Sequence, residues 1–407
     1  MKPIASHAKI KISRRAVANL RQGHVWVYRS EIISEDSAPL LPGAMVHVED
    51  DRGKFLGTAL YSSSSQIALR KLTADRLQGE PELLQLVRQR VRDAITYRQW
   101  LLKEKESNAA RIIFSEADGL PGLIVDRYND ILSLHAQTQA MDCAETKQAI
   151  VAELQAQLVP GGVAHIVERV EPHIRELEQL PPAENHLLWG EKTSTQYKLN
   201  GIRFHYNALS GQKSGAFLDQ RENYAAAERY AHGTALDVFC YQGGFALHLA
   251  RACSAVTALD SSRPALEVAE ENEKLNRAGG RPEIEWIEAN AFDFLKDYSA
   301  SGQQYDTIVL DPPAFAKSKR NLETALRGYK ELNLRAMKML RPAGVLVTCS
   351  CSYHVSEEDF RQMLTAAAAD AGRTLRLLEI RTQSKDHPIV LGIPETHYLK
   401  CMIASAR

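Results

Sequence analysis

The spacing of apolar residues changes character twice along the chain, near residue 75 and again near residue 190. Over residues 1–74 the apolar runs are short, at 25–28, 44–48, 55–60 and 67–70, and are parted by Pro42-Gly43, Arg52-Gly53 and the serines 62–65. Short runs bounded by turn formers read as strands, so a small, mostly β barrel is predicted here. One helix, over 13–22, precedes most of them and stops before Gly23. Beyond 75, Leu83, Leu84, Val87, Val91, Ile95 and Trp100 recur near the helical period and predict an amphipathic helix of about 25 residues. Strands follow at 111–114, 122–125 and 131–134, with turns at Asp118-Gly119 and Asn129-Asp130. A helix over about 143–158 and a strand at 164–168 complete a middle α/β domain, and Pro181-Pro182 marks its end.

Past about 190, apolar strands at 234–239, 255–260, 284–288, 305–310 and 344–348 alternate with helical stretches such as 264–276, where Pro264 suits a first helical turn. Such alternation predicts a parallel, doubly wound sheet of the Rossmann-like kind, with ligands beyond the carboxyl ends of its strands. The expected α/β organisation is therefore a β-barrel domain over 1–74, a middle domain over 75–189 and a doubly wound domain over 190–407. No internal repeat or low-complexity tract interrupts it.

Composition adjusts this picture in few places. At 44% hydrophobic and 25% charged, the 407 residues have the make-up of a soluble globular protein too long for one core. The formal net charge is zero, so no global field draws the chain to nucleic acid, and such contact has to come from a local patch. Residues 1–30 offer one: Lys2, Lys9, Lys11, Arg14, Arg15, Arg21 and Arg29, with no acid before Glu31. Arg14 and Arg15 are its central candidates, the alternative being a solvated basic face. The N-terminus lacks an apolar signal core and no stretch reaches membrane-spanning length, so no membrane partner is expected. Six scattered cysteines form no even framework, which fits reduced thiols in a cytoplasmic protein. Cys349-x-Cys351 has no second pair at ligand spacing, so no metal is expected.

Candidate chemistry sits at the predicted strand ends. Strand one carries Asp237, ends at Phe239 and runs into Tyr241-Gln242-Gly243-Gly244, where the bare glycines would let backbone approach a ligand. These glycines do not spell G-x-G-x-x-G and no phosphate-loop lysine follows, which weakens dinucleotide and nucleoside-triphosphate readings. Strand two ends at Asp260, whose carboxylate can accept both hydroxyls of a ribose or cap the next helix through Ser261-Ser262. Strand three leads to Asn290-Ala-Phe-Asp293, placed to meet the edge and face of an adenine. In this order the four features predict S-adenosylmethionine; NAD would prefer a tighter glycine turn.

Strands four and five run into Asp311-Pro312-Pro313 and Thr348-Cys349-Ser350-Cys351. Cytosine C5 is a poor nucleophile, and a thiolate adding at C6 is the chemical remedy: C5 takes the methyl group, and loss of its proton expels the sulfur. Either Cys349 or Cys351 supplies the thiol, and Asp311 can accept from the cytosine amino group. Residues i and i+2 share a face of a strand, so spacing does not choose between the thiols, and either could instead pack as a small hydrophobe. Phe315 can stack on a base, and Lys317, Lys319 and Arg320 can hold flanking phosphates unless they form a solvated loop.

At these residues the chain resembles the large-subunit ribosomal RNA cytosine-C5 methyltransferases of the bacterial type I class. The likeness rests on Ser214-Gly-Ala-Phe-Leu-Asp-Gln-Arg221, Leu236-Asp-Val-Phe-Cys-Tyr-Gln-Gly-Gly-Phe245, Leu310-Asp-Pro-Pro-Ala-Phe315 and Thr348-Cys-Ser-Cys-Ser352. Gly23, Trp26 and Tyr28 look like the opening of a PUA domain, so it covers essentially the whole chain. The resemblance implies a PUA domain, a linking α/β domain and a class I methyltransferase domain. It implies methylation of one cytosine in 23S ribosomal RNA, free or within a large-subunit assembly intermediate, and a homodimer. By similarity, Phe217 and Gln220 close over the cofactor and Cys349 is the nucleophile. Many such enzymes carry a cysteine directly after the strand-four proline, where this chain has Pro313-Ala314. The same loop also resembles guanine-N7 and exocyclic-amine RNA methyltransferases, which need no cysteine.

Overall fold

The computed structural model describes residues 8–35, 39–209, 216–277, 281–316 and 318–407. The chain divides into two compact units: Met1–Tyr197 with Tyr206–Gly215 and Asp386–Thr396, and Lys198–His205 with Ala216–Lys385 and His397–Arg407.

In the first unit, β1 (Lys9–Ile12), β2 (Trp26–Tyr28), β3 (Ile32–Glu35), β4 (Met45–Glu49), β5 (Phe55–Tyr61) and β6 (Ile67–Thr73) form a sheet in the order β2-β6-β5-β4-β1-β3. Helix α1 (Arg14–Arg21) begins where predicted because the Ser13 hydroxyl accepts the Ala16 N–H at 3.2 Å, and its buried face is Ala16, Val17 and Leu20. Strands β1 and β3 were not anticipated: the alternation in Lys9-Ile-Lys-Ile12 is too short to stand out from its basic surroundings. Next come α2 (Glu80–Tyr97), α3 (Gln99–Leu102), β7 (Ala109–Phe114), β8 (Leu123–Tyr128), β9 (Ile131–Ala136), α4 (Ala144–Leu158), β10 (His165–Glu168), α5 (Pro172–Leu177) and β11 (His186–Trp189). The five strands lie in the order β11-β10-β9-β8-β7, and Val87, Val91, Ile112, Val125, Ile150 and Leu154 share one buried core.

Two further strands, β12 (Ser194–Leu199) and β13 (Ile202–Asn207), carry the chain across the boundary between the units. The second unit then alternates α6 (Arg221–Tyr230), β14 (Thr234–Val238), α7 (Gly244–Leu249), β15 (Ala255–Asp260), α8 (Arg263–Asn276), β16 (Ile284–Glu288), α9 (Ala291–Ser301), β17 (Tyr305–Leu310), α10 (Leu322–Met339), β18 (Leu340–Ser350) and α11 (Glu357–Asp370). It ends in β19 (Leu375–Arg381) and β20 (Lys400–Ala406). The seven-stranded sheet runs β16-β15-β14-β17-β18-β20-β19. The five strands from β16 to β18 are parallel, as the alternation of strand and helix requires. The last two are not: β20 inserts antiparallel between β18 and β19. The fully parallel sheet expected from sequence is therefore mixed. The strand β20 escapes periodicity because it is buried on both faces and reads Lys-Cys-Met-Ile-Ala without alternation. No helix among the described residues is long and apolar enough to cross a membrane.

Candidate active site

The first turn of the parallel sheet is wound tightly against β15. The N–H groups of Phe239 and Cys240 both donate to the Leu259 carbonyl, at 2.9 and 3.0 Å. Phe239 (φ 68°), Tyr241 (φ 50°) and Gly243 (φ 86°) are left-handed, two of them without glycine's licence. The Asp260 carboxylate holds this strained turn through the Tyr241 N–H at 3.0 Å, while its other oxygen accepts the Ser262 N–H at 2.9 Å before α8. These two N–H groups occupy part of Asp260 and leave lone pairs for ligand hydroxyls. Ser261 is exposed beside it. Asn290 caps α9, accepting the N–H groups of Phe292 and Asp293 at 2.9 and 3.3 Å, and Asp293 is exposed in that first turn. Phe217 and Tyr241 meet edge to face, with ring centroids 5.2 Å apart.

The glycines have a different reason from the one expected. A Cβ on Gly243 would stand 2.8 Å from the Trp286 ring, and one on Gly244 would stand 2.5 Å from the Tyr224 ring. Both positions are closed by the protein's own aromatics, so packing already demands glycine there without a ligand.

Asp237 is wholly buried in β14, and neither of its carboxylate oxygens makes a hydrogen bond of ordinary geometry among the described residues. Burial pushes this carboxyl well above the usual range, the negative charges of Asp311 and Asp260 push the same way, and the Ala246 N–H opposes them. Three acids, Asp260, Asp237 and Asp311, thus lie at or near the carboxyl ends of the adjacent strands β15, β14 and β17. S-adenosylmethionine carries an ammonium, a sulfonium and ribose hydroxyls, so the donor set fits: Asp237 toward the positive groups, Asp260 toward the ribose, and Phe217 and Tyr241 as apolar walls.

Asp311 follows β17 directly, and its Oδ1 accepts from the Gln220 side-chain amide at 3.0 Å. Asn223 donates to the Gln220 carbonyl at 2.7 Å, and Arg381 donates to Asn223 at 2.9 Å. Gln220, expected over the cofactor, is 2% exposed and commits both ends of its amide to this relay. The relay fixes the position of Gln220 beside Asp311.

The two thiols are now distinguishable. Cys349 lies inside β18, paired across the ladder with Cys401, and has no accessible surface. Burial, the Cys401 thiol and Asp311 drive its thiol well up, and a hydrogen bond from Gln220 opposes them weakly. The strand ends at Ser350, so the sharing of a face by i and i+2 stops there, and Cys351 lies beyond the carboxyl end, half-buried. Its sulfur is 3.9 Å from the Pro312 carbonyl, beside Asp311. The expectation that favoured Cys349 therefore meets a physical obstacle: a thiol with no exposed surface has no path to a base.

Ser352 ties the two loops together. Its hydroxyl accepts the Ala316 N–H at 3.1 Å and shares a 3.0 Å hydrogen bond with Tyr329. Phe315 packs 4.7 Å from the Tyr329 ring, with Phe292 6.0 Å away and 39% exposed. Lys319 and Arg320 are exposed in a short turn, and Lys317 lies outside the described residues. Ser352 and the buried Lys400 of β20 were not anticipated. The only hint of Lys400 in the sequence is a lysine that opens an otherwise apolar run.

In the first unit, Arg14 and Arg15 are exposed on α1, but the fold returns acids to them: Asp51 at 3.0 Å from Arg14 and Glu31 at 3.8 Å from Arg15. Lys9 likewise faces Glu49 at 3.6 Å. The basic run is therefore less isolated in space than along the chain, while both guanidinium groups stay more than four-fifths accessible.

Residues 10–74 match the family of PUA-like domains, and residues 174–392 match that of S-adenosylmethionine-dependent methyltransferases. A protein of Pseudoalteromonas translucida named ribosomal RNA large subunit methyltransferase I is 35% identical over 95% of this chain and 96% of its own length. One of the same name from Tolumonas auensis is 36% identical over 95% and 96%. Among solved structures, a protein of Streptococcus mutans described as a SAM-dependent methyltransferase superposes with a TM-score of 0.80 at 18% identity, covering 98% of this chain and 99% of that one. The chain belongs to the S-adenosylmethionine-dependent methyltransferases with an N-terminal PUA-like domain, in the family of the ribosomal RNA large subunit methyltransferase I proteins.

Proposed function

We propose that this protein methylates C5 of a cytosine in 23S ribosomal RNA, with Cys351 rather than Cys349 as the nucleophile at C6. The observation that carries the reading is the position of Cys351: past the end of β18, half-buried, its sulfur 3.9 Å from the carbonyl of the residue after Asp311. The names of the relatives support the RNA class of the substrate. A thiol and a carboxylate converging at the carboxyl ends of β17 and β18 support the carbon chemistry.

Asp311, aimed by Gln220, accepts the amino hydrogen at the N4 edge of the base and holds the ring over the sulfur. Cys351 forms a bond to C6, and the ring electrons move to C5. S-adenosylmethionine, when bound, would supply the methyl group to C5 as an electrophile. Phe315, with Tyr329 behind it, gives the base an aromatic wall. Lys319 and Arg320 lie in the short turn that follows and meet flanking phosphates. Arg14 and Arg15 of the PUA-like domain add a second RNA contact.

RNA bearing 5-fluorocytosine at the target tests this assignment, because fluorine cannot leave C5 as a proton does. The wild type and Cys349→Ala form a covalent adduct that survives denaturation, and Cys351→Ala forms none. An adduct that persists in Cys351→Ala and vanishes in Cys349→Ala restores the inner thiol. Methyl transfer by both variants without any adduct points instead to attack by a base nitrogen from the Asp311-Pro-Pro-Ala-Phe315 loop.

A further inference from the structure

We propose that Lys400 is the proton acceptor of Cys351: its ε-amine takes the thiol proton as sulfur bonds to C6, and returns it when that bond breaks. The inference rests on Cys351 being the nucleophile.

Lys400 opens β20 opposite Ser350 and is 4% exposed. A buried lysine is ordinarily paired with an acid. Here the partners of Nζ are two backbone carbonyls, Ser352 at 2.6 Å and Tyr398 at 2.8 Å, and no carboxylate lies within ion-pair distance among the described residues. Two acceptors satisfy both hydrogens of a neutral amine and leave its lone pair unused. An ammonium would carry a third N–H with no partner among those residues. One of the two carbonyls belongs to the residue next to Cys351, so the amine is tied to the peptide that carries the sulfur.

The charges around the sulfur point the same way. Asp311 and Asp219 both oppose a thiolate at Cys351, Asp219 being held by the Tyr398 hydroxyl at 2.7 Å, and Lys400 favours one. Burial and the two acids drive the Cys351 thiol up to about 12. Burial brings Lys400 down to about 8, with Cys351 as the ionisable group that acts against this. Of the two groups the amine is therefore the one that changes charge near neutral pH, and its unprotonated form together with the thiol tolerates burial. When the base arrives, the S–H bond breaks, an N–H bond forms on Lys400, and the sulfur electron pair makes the S–C6 bond. On expulsion the sulfur recovers its electron pair and takes the proton back from the ammonium. The proton lost from C5 is a separate one and leaves to water. Lys400 thus acts through Cys351 rather than on the substrate.

The test is the pH dependence of Cys351 alkylation by iodoacetamide in the full chain, with the modified cysteine located by peptide mass spectrometry. In the wild type the rate levels off above an inflection near 8, set by Lys400. A rate that keeps climbing to pH 10 overturns the proposal without any variant. In Lys400→Met the inflection moves above pH 9 and the rate at pH 8 falls by about tenfold or more, one unit of pKa being a factor of ten. S-adenosylmethionine binding by calorimetry certifies the fold of that variant. Should it not fold, Lys400→Arg keeps the stem, the charge and donors for both carbonyls but cannot give up a proton, and it too loses the inflection near 8. A folded variant of either kind with the wild-type profile overturns the proposal. The adduct assay separates this from the underlying reading: an adduct that needs Cys351 beside a profile indifferent to Lys400 refutes Lys400 alone, whereas an adduct formed without Cys351 removes both.

Discussion

The sheet of the second unit has two halves built on different principles. Its parallel strands, β14 to β17, end in turns shaped by backbone: left-handed residues at 239, 241 and 243, and an Asp260 carboxylate that holds two N–H groups. Its antiparallel edge, β18-β20-β19, is shaped by side-chain contacts: Cys349 against Cys401, Lys400 on two carbonyls, and Arg381 leading through Asn223 and Gln220, at the start of α6, to Asp311. The first half makes a fixed anionic cradle. The second carries Cys351, the thiol of the proposed reaction, just past the end of β18. On the proposed reading the cofactor lies against the half with local, repeatable geometry, and the thiol chemistry falls on the half where the chain doubles back.

The strongest way to break this comparison is to remove each thiol in turn. Cys351→Ala abolishes methyl transfer, by on the order of 10^6-fold, the scale seen when a catalytic nucleophile is deleted. Cys349→Ala stays within about tenfold of the wild type in turnover and instead costs about 1–2 kcal/mol of stability, as a small cavity opens between β18 and β20. Single-turnover methylation and urea unfolding measure the two effects. An inactive Cys349→Ala of unchanged stability would exchange the roles of the two thiols.

The parallel half was largely legible in the sequence because its information is local. Each strand is a short apolar run followed by its own turn residues, so Asp237, Asp260, Asn290 and Asp311 could be placed at strand ends from spacing alone. The antiparallel half was not legible, for a physical reason. Strand β20 contributes at the far end of the chain, about 50 residues after Cys349, and its two buried faces erase the alternation that marks a strand. Without β20 there was no cause to see that Cys349 pairs with Cys401 inside the sheet, or that the Lys400 amine bonds the carbonyl of the residue after Cys351. The choice between the thiols depends on where β18 ends, and strand ends are what periodicity fixes least. The glycine turn shows the converse: the residues were singled out for a ligand, and the structure adds packing as a reason, since Trp286 and Tyr224 stand where a Cβ would.

That revision predicts an intermediate effect on the parallel half. Gly243→Ala combines a left-handed backbone at φ 86° with a Cβ 2.8 Å from the Trp286 ring. The expected cost is about 2–4 kcal/mol, the sum of backbone strain and overpacking. In a Trp286→Leu background the clash disappears and the additional cost of Gly243→Ala falls to the strain alone, about 1–2 kcal/mol. Thermal or urea unfolding of the four proteins closes the cycle. If the cost is the same in both backgrounds while cofactor affinity collapses, the glycine is there for the ligand after all.

The smallest expected effect sharpens the comparison most, because it falls where the halves meet. Gln220 stands between Asp311 of the parallel half and the Arg381-Asn223 pair of the edge. If its task is to aim Asp311, Gln220→Ala lowers kcat by about tenfold, the worth of one hydrogen bond to a charged group, and leaves S-adenosylmethionine affinity within about threefold. The variant also frees the Asn223 amide from one of its two acceptors, leaving the Thr382 carbonyl at 3.1 Å. Gln220→Glu keeps the shape but sets a second carboxylate against Asp311, so its loss of turnover exceeds that of the alanine variant. Calorimetry of cofactor binding beside single-turnover rates separates the alternatives. A tenfold weaker cofactor with unchanged turnover returns Gln220 to the cofactor wall. A loss of turnover at constant affinity, deeper for glutamate than for alanine, means that the edge strands reach the reacting base by orienting a carboxylate they do not themselves supply.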